Sequence, residues 1–219
     1  GVVILIIHAP LWAWLLVPLG ILAQMLNEYN LHRFVFHLPP PKQQWAFNLL
    51  YQAHYGHHDF PTHHALFFGP PWVALPVLGL NFGLVWGVAA LLGLPAAFHI
   101  SVAVVLVGGV GMFLAYEWFH MTSHLTIPKT KIERHVTTLH NQHHFRDFSK
   151  WFHVSPGGDV IDRMMHTAID RDALKSKQRA EFIRTLGMRP DDARLIAARK
   201  PFAAKYGLSH DEITRAAAL

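Results

Sequence analysis

Residues 60–116 contain no Asp, Glu, Lys or Arg. A helix needs about 20 predominantly apolar residues to cross a bilayer core, so this stretch is far too long for one crossing. It divides at "GLPAA", where Leu94-Pro95 suits a tight turn. Residues 72–92 and 96–116 are therefore expected to form a helical hairpin. A second uncharged apolar run covers residues 2–26, punctuated by Pro10 and Pro18. Within the hairpin, Gly79, Gly83 and Gly87 recur every fourth residue, a small-residue stripe expected to let helices approach closely. "GGVG" at 108–111 is read in the same way, as packing rather than a phosphate loop.

Composition agrees with a membrane body. Of 219 residues, 52% are hydrophobic and 15% charged, against about 25% charged in a soluble domain. Before Glu117 the only charged residues are Glu28, Arg33, Lys42 and Asp59, and the second half is water-facing and basic. With no cysteine, the chain has no disulfides, thiolate metal sites or cysteine-held iron–sulfur clusters. No charged segment at Gly1 reads as a signal peptide. Arg33 and Lys42 follow the first span; Lys129, Lys131, Arg134, Arg146 and Lys150 follow the third; the turn at 94–95 carries no charge. By the positive-inside rule both basic segments face the cytoplasm. The expected fold is an all-α integral membrane protein with three to four transmembrane helices and a cytoplasmic helical cap. Residues 1–170 would form the membrane domain and 171–219 a polar, helical C-terminal extension, with "SHDE" at 209–212 as a capping-box start.

Ten of the 18 histidines fall into four groups: His32 and His37; His54, His57 and His58; His120 and His124; His140, His143 and His144. All sit just outside or at the ends of the spans, on the side assigned to the cytoplasm. Helix positions i, i+3 and i+4 share one face, so each H-x-x-H-H group presents three imidazoles to one side, and His120/His124 presents two. His32 and His37 are five apart, roughly 140° around an ideal helix. They converge only if the helix loosens before "LPPP" stops it. Ten imidazoles on two ions give about five each, more than the four at which zinc usually stops. That favours iron with an open position, and leaves zinc possible as the isolated ion. His8 and His99 stand alone and are read as core or interfacial residues; His63 and His64, in a loop, are left out of the ligand set. A transporter would place its ligands at mid-membrane on broken helices, which these groups do not do.

In order and spacing, the four groups resemble the fatty acid hydroxylase / sterol desaturase superfamily, and the closest motifs are those of fatty acid 2-hydroxylases. The resemblance rests on "EYNLHRFVFH" (28–37), "HYGHHDFP" (54–61) with "GPP" (69–71), "YEWFHMTSH" (116–124), and "LHNQHHF" with "WFHVSPGGDVIDRMMHT" (139–145, 151–167). It covers roughly residues 20–170. It implies that the ten histidines hold two metal ions, iron by expectation, and that the protein uses O2 to hydroxylate the acyl chain of a fatty acid or sphingolipid-type lipid. No catalytic group beyond the metal ligands is assigned. Tyr116, Glu117 and Glu28, each about one turn before a ligand, are candidates for hydrogen bonds that orient the ligand rings. The sequence contains neither a cytochrome b5 segment nor a dinucleotide fingerprint, so electrons are expected from a separate protein, cytochrome b5-like or ferredoxin-like. The other expected partners are the bilayer and the lipid substrate; no nucleic acid is expected. One departure from the 2-hydroxylase pattern is "PTHHALFFGPP", where the family carries an acidic and a basic residue; this bears on head-group recognition. The boxes do not choose the product: a sterol or lipid desaturase and a carotenoid hydroxylase share them, and a non-catalytic metal-binding or transport protein is the alternative outside the superfamily.

Overall fold

The computed structural model describes residues 1–218. Among them every regular element is helical, and the chain divides into two units, Gly1–Ala168 and the residues from Ile169 onward.

In the first unit three helical stretches are long and apolar enough to cross a membrane: Leu11–Phe36, His64–Leu91 and Ala97–His124. The short α1 (Val2–His8) and a 3-10 turn (Leu11–Leu16), separated by Pro10, precede α2 (Val17–Leu31). Pro18 falls in the first turn of α2, where a missing N–H costs nothing. α2 runs on as a π-helical turn, His32–Phe36, before the prolines end it. The first of these stretches thus reaches ten residues past the uncharged run, because the helix continues through Glu28 and Arg33. α3 (Gln44–Leu50), a second π-turn (Tyr51–Tyr55) and α4 (Gly56–Asp59) form the segment between the first two of these stretches. α5 (Pro71–Leu91) is entered through Pro70-Pro71 and leaves Leu75, Leu80 and Leu84 exposed, as a lipid-facing helix does. The turn after it contains Gly93 and Ala96, both at positive φ, and opens α6 (Ala97–Ser101), a π-helical stretch (Val102–Gly109) and α7 (Val110–His124).

The closest helix–helix approach differs from the expected stripe. A Cβ on Gly79, Gly83 or Gly87 would meet nothing within 4 Å, so these glycines mediate no close packing. The tight contact is between α2 and the third of the apolar stretches. A Cβ on Gly20 would lie 2.0 Å from the Val104 carbonyl oxygen, and one on Gly108 2.4 Å from that of Val17. Gly108 bears out the packing role read into "GGVG", and its partner Gly20 lies outside any repeating pattern.

α8 (Lys131–Phe145) starts with a capping box: Thr130 Oγ1 accepts from Glu133 N at 3.2 Å and Glu133 Oε2 from Thr130 N at 2.7 Å. Trp118 Nε1 donates to Glu133 Oε1, tying the start of α8 to α7. α9 (Asp159–Met164) completes the unit. The second unit contains α10 (Arg171–Thr185), α11 (Ala193–Tyr206) and α12 (His210–Ala217); Ser209 and Glu212 form the capping box expected at α12, and Gly207 ends α11 in the left-handed conformation.

Candidate metal centre

The ten histidines of the four groups come together in two sets of five. His32, His37, His54, His58 and His143 form one; His57, His120, His124, His140 and His144 form the other. Within each set one nitrogen from every ring lies within 4.8 Å of all the others. His32 and His37 meet through the π-turn: His37 N donates to His32 O at 3.1 Å, five residues back, and the ring centroids stand 4.9 Å apart. This is the loosening of the helix end that the five-residue spacing required, and π-turns of this kind recur at functional sites.

Each H-x-x-H-H group divides between the sets. His54 and His58 join the first set and His57 the second; His140 and His144 join the second and His143 the first. The i, i+4 pairs are partners, and the i+3 member crosses to the other set. α4 and α8 therefore each contribute to both.

The nitrogen spacing tests whether ions fit. Two imidazole nitrogens each ~2.0–2.1 Å from one ion and at right angles to each other would stand about 3 Å apart. The observed Nε2–Nε2 separations are 2.8 Å for His54 and His58, 3.1 Å for His37 and His54 and 3.3 Å for His58 and His143 in the first set. In the second they are 2.9 Å for His57 and His120 and 2.8 Å for His124 and His140. His32 Nε2 and His144 Nε2 are buried with no hydrogen-bond partner among the described residues. Buried nitrogens at ligand spacing, two of them without a partner, fit one ion in each set.

The ring protonation suits this. Burial, with neighbouring imidazoles as a second cause, pushes His37 down to about 3 and His57 to about 2, and drives His54, His58, His140 and His144 well below the usual histidine range. Burial lowers His143 to about 4 against the opposing Lys150 carbonyl and Asp162. These rings are neutral near pH 7, the form in which imidazole binds metal.

Backbone carbonyls orient three rings from behind. His32 Nδ1 pairs with Phe152 O at 2.5 Å, His143 Nδ1 with Lys150 O at 2.6 Å and His120 Nδ1 with Phe67 O at 2.7 Å. A carbonyl only accepts, so each Nδ1 carries the proton and each Nε2 offers its lone pair to the site. Of the residues expected to orient ligands, Tyr116 stacks on His120 with centroids 5.6 Å apart and planes 8° from parallel. Glu117 instead accepts from Gly69 N at 3.3 Å through Oε1, and its buried Oε2 has no partner among the described residues. The Glu28 carboxylate does not bond a ring of either set; it accepts from Val154 N at 2.7 Å, Ser155 N at 3.2 Å and the Ser155 hydroxyl. His63 and His64 join neither set.

Two buried residues carry weight that the sequence did not assign. Asp162 lies in α9, and its carboxylate accepts from Phe152 N, His153 N, His153 Nδ1 and Thr167 Oγ1, at 2.7 to 3.2 Å. Burial alone would lower His153, but the Asp162 bond, Glu28 and the Met25 carbonyl hold it above the usual histidine value. A signal existed in the stretch "HVSPGGDVID": a histidine and two acids soon after the fourth group.

An apolar cavity of about 250 Å³ lies between α2, α5 and α7. Leu31, Val73, Leu78, Val105 and Phe113 line its walls, and it reaches His32, Tyr116 and Glu117. The first histidine set thus opens, at His32, onto a greasy space among the apolar helices.

The family described as fatty acid hydroxylase matches residues 17–167. A dihydroceramide fatty acyl 2-hydroxylase of Arabidopsis thaliana is 32% identical over 142 residues, 64% of this chain and 55% of that protein. The fatty acid 2-hydroxylase of Homo sapiens is 30% identical over 151 residues, 68% of this chain and 38% of that one. The chain therefore spans about half the length of the plant relative and less of the human one. Among solved structures, "Full length scs7p (only hydroxylase domain visible)" shares the fold with a TM-score of 0.64 at 24% identity, covering 77% of this chain and 60% of that chain.

Proposed function

Because the chain belongs to the fatty acid hydroxylase family, we propose that it is a membrane lipid hydroxylase acting on the acyl chain of a fatty acid or sphingolipid-type amide, at the carbon next to the carbonyl. The observation that carries this reading is the apolar cavity that reaches His32 of the first five-imidazole set, with the second set beside it, in a chain whose relatives are named 2-hydroxylases. The ten histidines would be the ligands of two ions, iron by preference. Two iron ions held there would supply the O2 activation needed to hydroxylate an unactivated C–H bond.

The chain's own residues do the rest. Leu31, Val73, Val105 and Phe113 take the hydrocarbon and exclude water. For oxidation next to the carbonyl, the lipid head group must sit at the His32 end, where Tyr116 and Glu117 offer polar atoms, with the tail running down between the crossings. The carbonyls of Lys150, Phe152 and Phe67 fix ring orientation so that no ligand must turn during the reaction. Hydroxylation places one oxygen atom of O2 in the product and the other in water, and consumes two electrons and two protons. The electrons come from a separate donor, cytochrome b5-like or ferredoxin-like. Residues 1–170 form the catalytic domain and 171–219 an extension. The chain crosses the membrane more than once, with both histidine-bearing regions on the cytoplasmic side.

Lipids from cells with and without the protein, grown under labelled O2, test the reading by mass spectrometry. One labelled oxygen on the 2-carbon of an acyl chain is expected. A new double bond with no added oxygen would replace hydroxylase by desaturase, and conversion without O2 would remove the oxygenase reading altogether.

A further inference from the structure

The two sets of histidines are not supported in the same way. In the second, His120 is held by Phe67 O, from the segment that leads into α5. In the first, both carbonyl-held ligands, His32 and His143, depend on one short piece of backbone, residues 150–152. That piece has no regular structure of its own, and Trp151 within it sits at φ 54°, left-handed and costly for a bulky residue. Trp151 is kept there by its N–H to Thr167 O at 3.0 Å and its indole N–H to Gln142 Oε1 at 2.9 Å. Phe152, next along, gives its N–H to Asp162 Oδ1, its carbonyl to His32, and its ring to the edges of His32, His37 and His143, with centroids 5.5–5.6 Å apart.

Asp162 is the fixed point of this arrangement. Its side chain is 0% exposed and accepts four hydrogen bonds, two on each oxygen, which fills the capacity of a carboxylate. Three of the donors belong to Phe152 and His153; the fourth, Thr167, also pairs with Tyr29 OH on α2, one turn from His32. Asp162 makes no hydrogen bond to a histidine of either set, its one influence on them being through charge on His143 of the first, and the second set receives no carbonyl from the backbone it holds.

We propose that Asp162 is the positioning residue of one metal site only: by fixing the 150–153 backbone it holds His32 and His143 with Nε2 toward the first ion, and it has no such part in the second. This rests on the ten histidines being ligands, not on which lipid is oxidised. Partners behind ligand rings typically change metal affinity ~10–100-fold. Asp162→Asn keeps the shape of the side chain but turns an NH2 toward two of the four donors. It is expected to weaken binding of one ion by that factor and leave the other within about threefold.

The test is a titration of purified, detergent-solubilised full chain with Fe(II) under anaerobic conditions and, separately, with Zn(II). Anomalous diffraction at the metal edge then locates the ion retained at limiting metal. Retention between His57, His120, His124, His140 and His144, with the first set depleted, is the expected result. Equal weakening of both ions would make Asp162 a general structural residue and overturn the proposal, as would unchanged affinity for both. If Asp162→Asn does not fold, Thr167→Val decides: removing one donor should produce a smaller loss confined to the same ion. Glu133→Gln, which damages the start of α8 without touching residues 150–153, should spare the difference between the two sites. Wild-type protein that binds no metal would instead overturn the ligand assignment itself, and an altered lipid product would leave this inference standing.

Discussion

Replacing Gly20 by alanine adds one methyl group, and the structure puts that group where another helix already is. The new Cβ would lie 2.0 Å from Val104 O, 2.8 Å from Val104 C and 2.9 Å from its Cα. All three are backbone atoms, so no side chain can rotate away. The oxygen would have to retreat by roughly 1 Å before the contact reached even 3.0 Å. Gly108 leaves no room for an easy slide, because a Cβ there would already lie 2.4 Å from Val17 O and 2.9 Å from the Cα of Gly20. Overpacking of this kind costs about 1–3 kcal/mol, offset by the ~0.5–1 kcal/mol that alanine gains over glycine inside a helix. The net expectation is a loss of roughly 1–2 kcal/mol. Gly83→Ala is the matched control: nothing lies within 4 Å of its Cβ, so only the propensity gain remains and stability should be equal or slightly higher. Unfolding of both variants in mixed micelles, followed by helix circular dichroism against denaturing-detergent fraction, measures the difference. Because α2 carries His32 at its end, Gly20→Ala should also weaken metal binding. Equal stability of the two variants, or a larger loss for Gly83→Ala, would refute the argument that the Gly20–Gly108 contact sets the helix spacing.

Three other outcomes are expected. His57→Ala and His143→Ala should each leave the protein in the membrane while reducing turnover by more than the ~10–100-fold typical of changes behind the ligands; near wild-type turnover in either would remove that residue from the ligand set. The folded-state values of His37, His57 and His143 lie below the ordinary ~6.5, so the unfolded chain binds more protons between about pH 4 and 6.5 and metal-free protein should lose stability as pH falls through that window. Thermal midpoints across the window in chelator should fall toward acid, and a flat profile would contradict the buried, neutral rings. The native chain has no cysteine, so Lys42→Cys, Pro95→Cys and Lys150→Cys can each be probed in intact cells with a membrane-impermeant thiol reagent. Labelling at position 95 alone is expected; labelling at 42 and 150 instead would reverse the orientation.

The sequence by itself determined the apolar crossings and the histidine groups, because both are local. Hydropathy is a property of consecutive residues, and i, i+3, i+4 spacing puts His140, His143 and His144 on one helix face whatever surrounds it. The turn at 94–95 and the capping box at Ser209 were legible for the same reason: their bonds close within a few residues. What the tertiary structure decided are pairings between distant parts of the chain. The spacing of H-x-x-H-H does not say that its fourth position joins the other set of five; that follows from the way the fold brings α4 and α8 together. His32 and His37 could converge only through a π-turn, which no propensity announced. The glycine that matters for helix approach is Gly20, isolated in sequence, rather than the periodic Gly79, Gly83 and Gly87, because closeness depends on the facing helix and not on the period. Glu28 lay one turn from a ligand but points to Val154 and Ser155, more than a hundred residues away. Asp162 carried only a faint signal, an acid soon after the fourth histidine group: a buried carboxylate is stable only where donors converge on it, and its donors are brought there by the fold.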